Sequence, residues 1–234
     1  INVAEHGQAQ IISGTATGAA AGDKVTVTIG GQTYTTVLDA AGNWSVGVPA
    51  SVISGLSDGT VTVTASVTDA AGNTGSGTHN VTVDTGLPSV NFNAISGDNV
   101  LNAVEKGQDL SVSGTSANLA EGTVVTVTLN GKNYTATTAA DGTWSLTVPA
   151  ADLAGLGQAS YTLNATATNG VGNSVSSAAN LLVDTALPTV TINTVAGDNV
   201  INAAEVAAGQ TLSGTVANAE AGNTVTVTIG GYSY

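Results

Sequence analysis

Apolar and hydroxylated residues alternate along most of this chain. Val25-Thr26-Val27-Thr28-Ile29 puts three aliphatic side chains on one face and two threonines on the other. Val125-Thr126-Val127-Thr128-Leu129 and Val225-Thr226-Val227-Thr228-Ile229 repeat the pattern, and Val61 to Val67 and Tyr161 to Ala167 extend it. A period of two marks a strand with one buried face. Gly30-Gly31, Asn130-Gly131, Ala41-Gly42-Asn43 and Asp141-Gly142-Thr143 separate the runs as turn signals. No segment sustains helical periodicity. The nearest approach follows two prolines, Pro49 to Leu56 and Pro149 to Leu156, where a single helical turn is expected.

The pattern itself recurs one hundred positions on. Val83-Asp84-Thr85-Gly86-Leu87-Pro88 returns as Val183-Asp184-Thr185-Ala186-Leu187-Pro188, and Trp44 returns as Trp144. That period is one domain long, so the chain is read as a tandem array. One repeat predicts seven strands, over 89–95, 109–115, 124–130, 133–138, 143–148, 160–168 and 175–184. Seven short strands in such a length predict an all-β, immunoglobulin-like sandwich, without the antibody-type cysteine pair. Both tryptophans are read as core anchors. The expected units are 1–85, lacking its first strand, 86–185, complete, and 186–234, the first half of a third. Half a sandwich is not expected to bury enough surface to fold alone. The sequence opens inside a repeat, so a segment of a longer chain is expected.

Charge narrows the function classes. Sixteen acidic residues face three lysines, for a formal charge of −13. Nucleic acid is excluded as a partner, since phosphate neutralisation needs clustered basic residues. An anionic membrane surface is disfavoured likewise, and no apolar run is long enough to enter a bilayer. Only 8% of residues are charged while 42% are hydrophobic, which argues against disorder. Without cysteine no disulfide can staple the units, which fits a bacterial surface protein exported unfolded. Catalysis has little to work with. His6 and His79 are replaced by Lys106 and Ala179 one repeat on, and no nucleophile elbow, phosphate loop or zinc spacing occurs. No enzyme is expected.

The acids cluster by motif. Gly97-Asp98-Asn99-Val100-Leu101-Asn102-Ala103-Val104-Glu105 returns with Asp198, Asn199, Asn202 and Glu205, and Asn2 and Glu5 retain its tail. Such a loop is dense in the hard oxygens that calcium takes six to eight of. It also reads as an Asp/Asn-rich turn capped by its own side chains. A second group is expected at the junctions. Asp84 should face Glu121 and Asn169, and Asp184 should face Glu220, with Asp23 and Asp69 at the corresponding tip of the first repeat. Like charges brought together are tolerated when a cation neutralises them.

These motifs, with Asp-Gly-x-Trp-Ser at 141–145 and Thr-Asp-Ala-Ala-Gly-Asn at 68–73, resemble the bacterial immunoglobulin-like repeats of giant adhesins. The resemblance spans the chain. It implies type I secretion, a cell-surface location, and calcium at Asp84, Asp98, Glu105, Asp184, Asp198 and Glu205. It also implies neighbouring repeats as partners and a host receptor or glycan reached through the whole protein. The expected role is a calcium-stiffened stalk; a tip module gripping host glycan is the alternative. Three departures weaken parts of the ligand set: Asn169 for Asp69, Ala20 for Glu220 with Asp23 as a substitute, and two extra residues after Glu205.

Overall fold

The computed structural model describes residues 1–219 and 221–234. The first unit holds α1 (Val3–His6), β1 (Gln10–Thr15), β2 (Lys24–Ile29), β3 (Gln32–Val37), β4 (Asn43–Val48), α2 (Ala50–Ile53), β5 (Gly59–Thr68) and β6 (Thr74–Val83). The second holds β7 (Ser89–Phe92), β8 (Val100–Leu101), β9 (Leu110–Ala117), β10 (Val124–Leu129), β11 (Lys132–Thr137), β12 (Thr143–Val148), α3 (Ala150–Leu153), β13 (Ala159–Thr168) and β14 (Ser174–Val183). The remainder holds β15 (Thr189–Ile192), α4 (Ala203–Ala208), β16 (Gly214–Ala217), β17 (Thr228–Ile229) and β18 (Tyr232–Ser233).

In the second unit one sheet runs β11-β10-β13-β14-β8 and the other β12-β9-β7. The two faces meet over Val112, Val125, Val127, Leu163, Leu181 and Val183, each at most 1% exposed. Alternation decides which side chains enter: along β10 the buried positions are Val125, Val127 and Leu129, and the threonines between them stay half-buried on the other face. Asn130-Gly131, with φ of 48° and 78°, closes the β10–β11 hairpin in two residues. With both central residues left-handed, this turn matches the right-handed twist of the flanking strands at that length. Trp144 is buried, and Phe92 of β7 meets it edge-on, with centroids 5.5 Å apart and planes at 77°. Both helical turns after the prolines form, as α2 and α3.

The first unit repeats the sheet β3-β2-β5-β6, but its second sheet is only β1-β4. No described residue stands where β7 stands in the second unit. Trp44 is accordingly only half-buried. A recess of about 570 Å³ opens between β1 and β6, lined by Ile12, Trp44, Val63, Val67, Val81 and other residues. Beyond Val183 no described residue is buried, and β15–β16 and β17–β18 are separate two-stranded ladders.

Two features lie outside the sequence reading. β8 is a two-residue strand parallel to β14, too short to show a period. α1 and α4 are helices started by their caps rather than by an apolar stripe. Asn2 and Asn202 each accept the N–H of the second and third residues following, and Glu5 and Glu205 return a bond to the cap backbone.

Candidate functional site at the junction between units

The connector Asp84 to Pro88 leaves β6 and enters β7. Asp84 is half-buried. Its Oδ1 accepts the Gly86 N–H at 2.9 Å, folding the connector into a side-chain-closed turn. Thr85 donates through both its N–H and its Oγ1 to Asp58 Oδ1, each at 2.9 Å, which holds the connector to the first unit.

The loop between β13 and β14 comes up against this turn. Asn169 Oδ1 accepts the N–H groups of Val171 (3.2 Å) and Asn173 (2.9 Å), leaving its amide to donate to Asp84 Oδ2 at 3.4 Å. Asn173 is 2% exposed. Its amide donates to the carbonyls of Asp84 (2.9 Å) and Gly86 (3.2 Å), and its Oδ1 accepts the Val3 N–H at 2.9 Å. One buried side chain of the second unit thus ties α1 and the connector together. Asn118 adds a bond from its amide to the Leu87 carbonyl at 3.0 Å.

The cognate loop of the first unit shows what the Asn169 replacement does. Asp69 Oδ1 takes the N–H groups of Ala71 and Asn73, and Oδ2 takes the Asn73 amide at 2.9 Å. These bonds, the Asn73 amide foremost, hold the Asp69 carboxyl below the ordinary carboxylate range. With Asn169 in that place there is no second carboxylate oxygen, and the Asn173 amide turns out to the connector instead.

The expected junction partners divide. The structure brings Asp84 to Asn169. Glu121 is exposed, and no hydrogen bond joins it to Asp84 among the described residues. Asp184 is exposed and repeats the turn of Asp84, accepting the Ala186 N–H at 3.0 Å. Asp23 accepts the Ala20 N–H at 2.7 Å. Glu220 lies outside the described residues.

In the Gly-Asp-Asn loop the oxygens face the backbone. Asp98 Oδ1 accepts the Val100 N–H at 2.9 Å, and Asn99, at φ 66°, accepts the Ile95 N–H at 2.9 Å. Asn102 Oδ1 takes the Val104 and Glu105 N–H groups, and Glu105 Oε2 takes the Asn102 N–H at 3.0 Å. Asp198, Asn199, Asn202 and Glu205 repeat the set. The spacing therefore builds a capping box and two side-chain-closed turns. Asp98, Asp198, Glu105 and Glu205 each keep one oxygen outside these bonds. Among the described residues no three His, Cys, Asp or Glu side chains gather as a metal-holding cluster. At the junction the Asp84 carboxylate and the Asp84 and Gly86 carbonyls are oxygens a hard cation takes, but here the amide N–H groups of Asn169 and Asn173 face them, and both amide oxygens accept backbone N–H groups instead.

Sequence reasoning missed the role of Asn173. Its signal was present, because Asn73 and Asn173 end both copies of the loop. It also missed a cluster away from the junction. Lys132 Nζ bonds both Asp152 oxygens at 2.6 Å, and Tyr134 donates to Asp152 Oδ2 at 2.9 Å. Burial, then the Asp152 carboxylate, pushes the Tyr134 phenol up to about 12.

The family model described as bacterial Ig-like domain matches residues 11–85 and 89–185. Among solved structures, one described as "Ca2+-stabilized adhesin helps an Antarctic bacterium reach out and bind ice" is 41% identical over the whole of this chain, with a TM-score of 0.49. The chain spans 59% of that structure's length. A second, described as "Structural insight into host cell surface retention of a 1.5-MDa bacterial ice-binding adhesin", is 35% identical over the whole chain and 77% of its own, with a TM-score of 0.47. A third, described as "Crystal structure of tetra-tandem repeat in extending region of large adhesion protein", is 31% identical over 90% of this chain and 53% of its own, with a TM-score of 0.38. No curated protein matches the chain.

Proposed function

The chain belongs to the bacterial Ig-like domain family, and from that premise we propose that it is a calcium-stiffened stalk segment of a giant surface adhesin. Its units are 1–85, 86–185 and the partial 186–234. Repeat length and the placement of acids liken it to the giant non-fimbrial adhesin of Salmonella. Type I secretion and attachment to host cells belong to the same reading. The observation that carries it is the convergence of Asp84, Asn169 and Asn173 on one connector between successive units. A connector held by the next unit's loop is what a stalk needs. Sequence relatives described as a calcium-stabilized adhesin and as an extending region support it. The aromatic positions favour a stalk over a glycan-gripping tip, since Trp144 is buried and Trp44 faces the interior recess.

In this reading Asp84, with its own and the Gly86 carbonyl oxygens that the Asn173 amide covers in this structure, holds calcium at the first junction, and Asp184 does so at the next. Asp98 and Glu105, and Asp198 and Glu205, offer their remaining oxygens as a second set. Affinity is expected near 10⁻⁴ to 10⁻³ M, the range of extracellular modules. Isothermal calorimetry of the wild type and of Asp84→Ser tests the assignment. The substitution should lower calcium stoichiometry and leave the β-sheet circular dichroism intact. Unchanged stoichiometry would remove the junction site from the reading.

A further inference from the structure

We propose that Asn169 is a self-modifying site: its side-chain amide cyclises onto the Gly170 nitrogen and loses ammonia, so that the junction between the units gains a carboxylate with age. Asn-Gly occurs twice in the chain, at Asn130-Gly131 and Asn169-Gly170. Cyclisation requires the backbone nitrogen that follows an asparagine to attack that asparagine's side-chain carbonyl carbon. A glycine leaves this nitrogen least hindered. The dipeptide alone does not choose between the two sites; the fold does.

The Asn169 oxygen is already held for the attack. Its Oδ1 accepts the N–H groups of Val171 at 3.2 Å and Asn173 at 2.9 Å. An oxygen bonded to the second and fourth residues on lays its carbonyl carbon across the Gly170 nitrogen between them. The same two donors meet the negative charge that develops on Oδ1 when that nitrogen attacks, as in an oxyanion hole. The Gly170 N–H is exposed and donates no hydrogen bond among the described residues, so attack breaks none. Nothing in the fold requires a glycine at 170. A Cβ there would meet no atom, its φ lies outside the left-handed region, and the first unit carries Ala70 at the same place. Asn130 is the contrast. Its side chain forms no hydrogen bond among the described residues, and Gly131 serves the hairpin, at φ 78°.

The atoms balance with water alone. The Gly170 nitrogen bonds to Asn169 Cγ and gives its proton to water. The Cγ–Nδ2 bond breaks, and the nitrogen takes a proton from water and leaves as ammonia. Water then opens the succinimide at either carbonyl, leaving aspartate or its β-linked isomer. The first unit shows what an acid does in this loop: Asp69 Oδ2 draws in the Asn73 amide at 2.9 Å. An aspartate at 169 offers Asn173 the same oxygen. The amide that now donates to the Asp84 and Gly86 carbonyls is then drawn off the connector. The bond from the Asn169 amide to Asp84 Oδ2, at 3.4 Å, gives way to one carboxylate facing another. Deamidation therefore loosens the connector.

The reaction needs no cation, so storing the full chain in EDTA at mildly alkaline pH tests it apart from the calcium reading. Peptide mapping by mass spectrometry should find Asn169 converted well before Asn130, with the β-linked product beside aspartate. In urea, where neither loop is formed, the two sites should react alike. Gly170→Ala, which copies the first unit, should slow the loss at Asn169 and leave that at Asn130 unchanged. Asn169→Asp supplies the ordinary-linked product directly. It should speed hydrogen exchange at the Val3 amide, whose acceptor is Asn173, with exchange in β10 and β13 unchanged. An Asn169 that stays intact would overturn the proposal. So would a preference for Asn169 over Asn130 no greater in the folded chain than in urea. Val3 exchange equal to wild type in Asn169→Asp would overturn the loosening of the connector.

Discussion

Asn173 shows how much one amide can organise. A buried asparagine must satisfy two donors and an acceptor, and here the groups that do so belong to α1 and to the connector. Asn173→Ala should leave the Val3 N–H and two carbonyls without their partner, at a cost of about 1–3 kcal/mol per unsatisfied group in the dry junction. Faster hydrogen exchange at the Val3 amide, with exchange in β10 and β13 unchanged, is the expected result. Titration follows the same local logic. Asp39, Asp69 and Asp141 have carboxyls lowered chiefly by their turn partners Asn43, Asn73 and Thr143. A lowered folded value means the turns contribute stability above the unfolded carboxylate value, near 3.9, and lose it as pH falls through the lower folded one. Thermal unfolding temperatures should therefore hold down to about pH 4 and drop below it. Tyr134 has the opposite sign. Its folded value of about 12 lies above the ordinary 10, so its contribution is whole below the ordinary value and is lost as pH rises through the folded one. Phenolate absorbance of Asp152→Ala should show this phenol ionising at lower pH. The pairing of Asp84 with Asn169 was legible because both positions recur at the repeat period. The Asn173 contact was not, since an asparagine closing a turn looks the same whether its amide faces its own loop or the neighbour's connector.

At the scale of elements, strands were legible and short caps were not. Seven of the eight strands of the second unit stand where alternation placed them, because burying one face forces period two. Helices α1 and α4 escaped, since the side-chain and backbone bonds of a capping box start them and no apolar stripe does. The same Asn-x-x-Glu spacing carried the calcium expectation, and the two uses make different demands on Glu105. A cap needs only an acceptor oxygen, which glutamine supplies; calcium needs the charge. Glu105→Gln should thus keep unfolding stability in EDTA within about 0.5 kcal/mol of wild type. If calcium binds there, the variant should lose part of the stabilisation that added calcium gives. Gly114 makes a sharper demand. Gly114→Ala drives a methyl against the Asn91 carbonyl and the Trp144 ring. Such overpacking costs about 1–3 kcal/mol, and urea unfolding of the second unit should show it together with Trp144 fluorescence shifted towards that of Trp44.

The whole molecule is uneven. The second unit closes around Trp144, the first closes except along one recess, and residues past Val183 have no buried side chain among those described. Half a sandwich was expected to lack a core on area grounds alone, and repetition made the unit order legible. What one repeat does to the next was less so, because it depends on amides turning outward by a few ångströms. If calcium governs that contact, its effect belongs to the array rather than to any single unit. Each site that binds only the ordered junction adds RT ln(1 + [L]/Kd), about 1.4 kcal/mol at a tenfold excess over Kd. On that proposal the connector is held by hydrogen bonds alone at low calcium, where successive units should sample a range of angles, and extracellular calcium should narrow that range. Small-angle scattering should show the maximum dimension lengthen when calcium replaces EDTA. Asp84→Ser should remove the change, while each sandwich keeps its own radius. An identical profile in both buffers would mean that Asn173 and its three hydrogen bonds set the angle between these units without a cation.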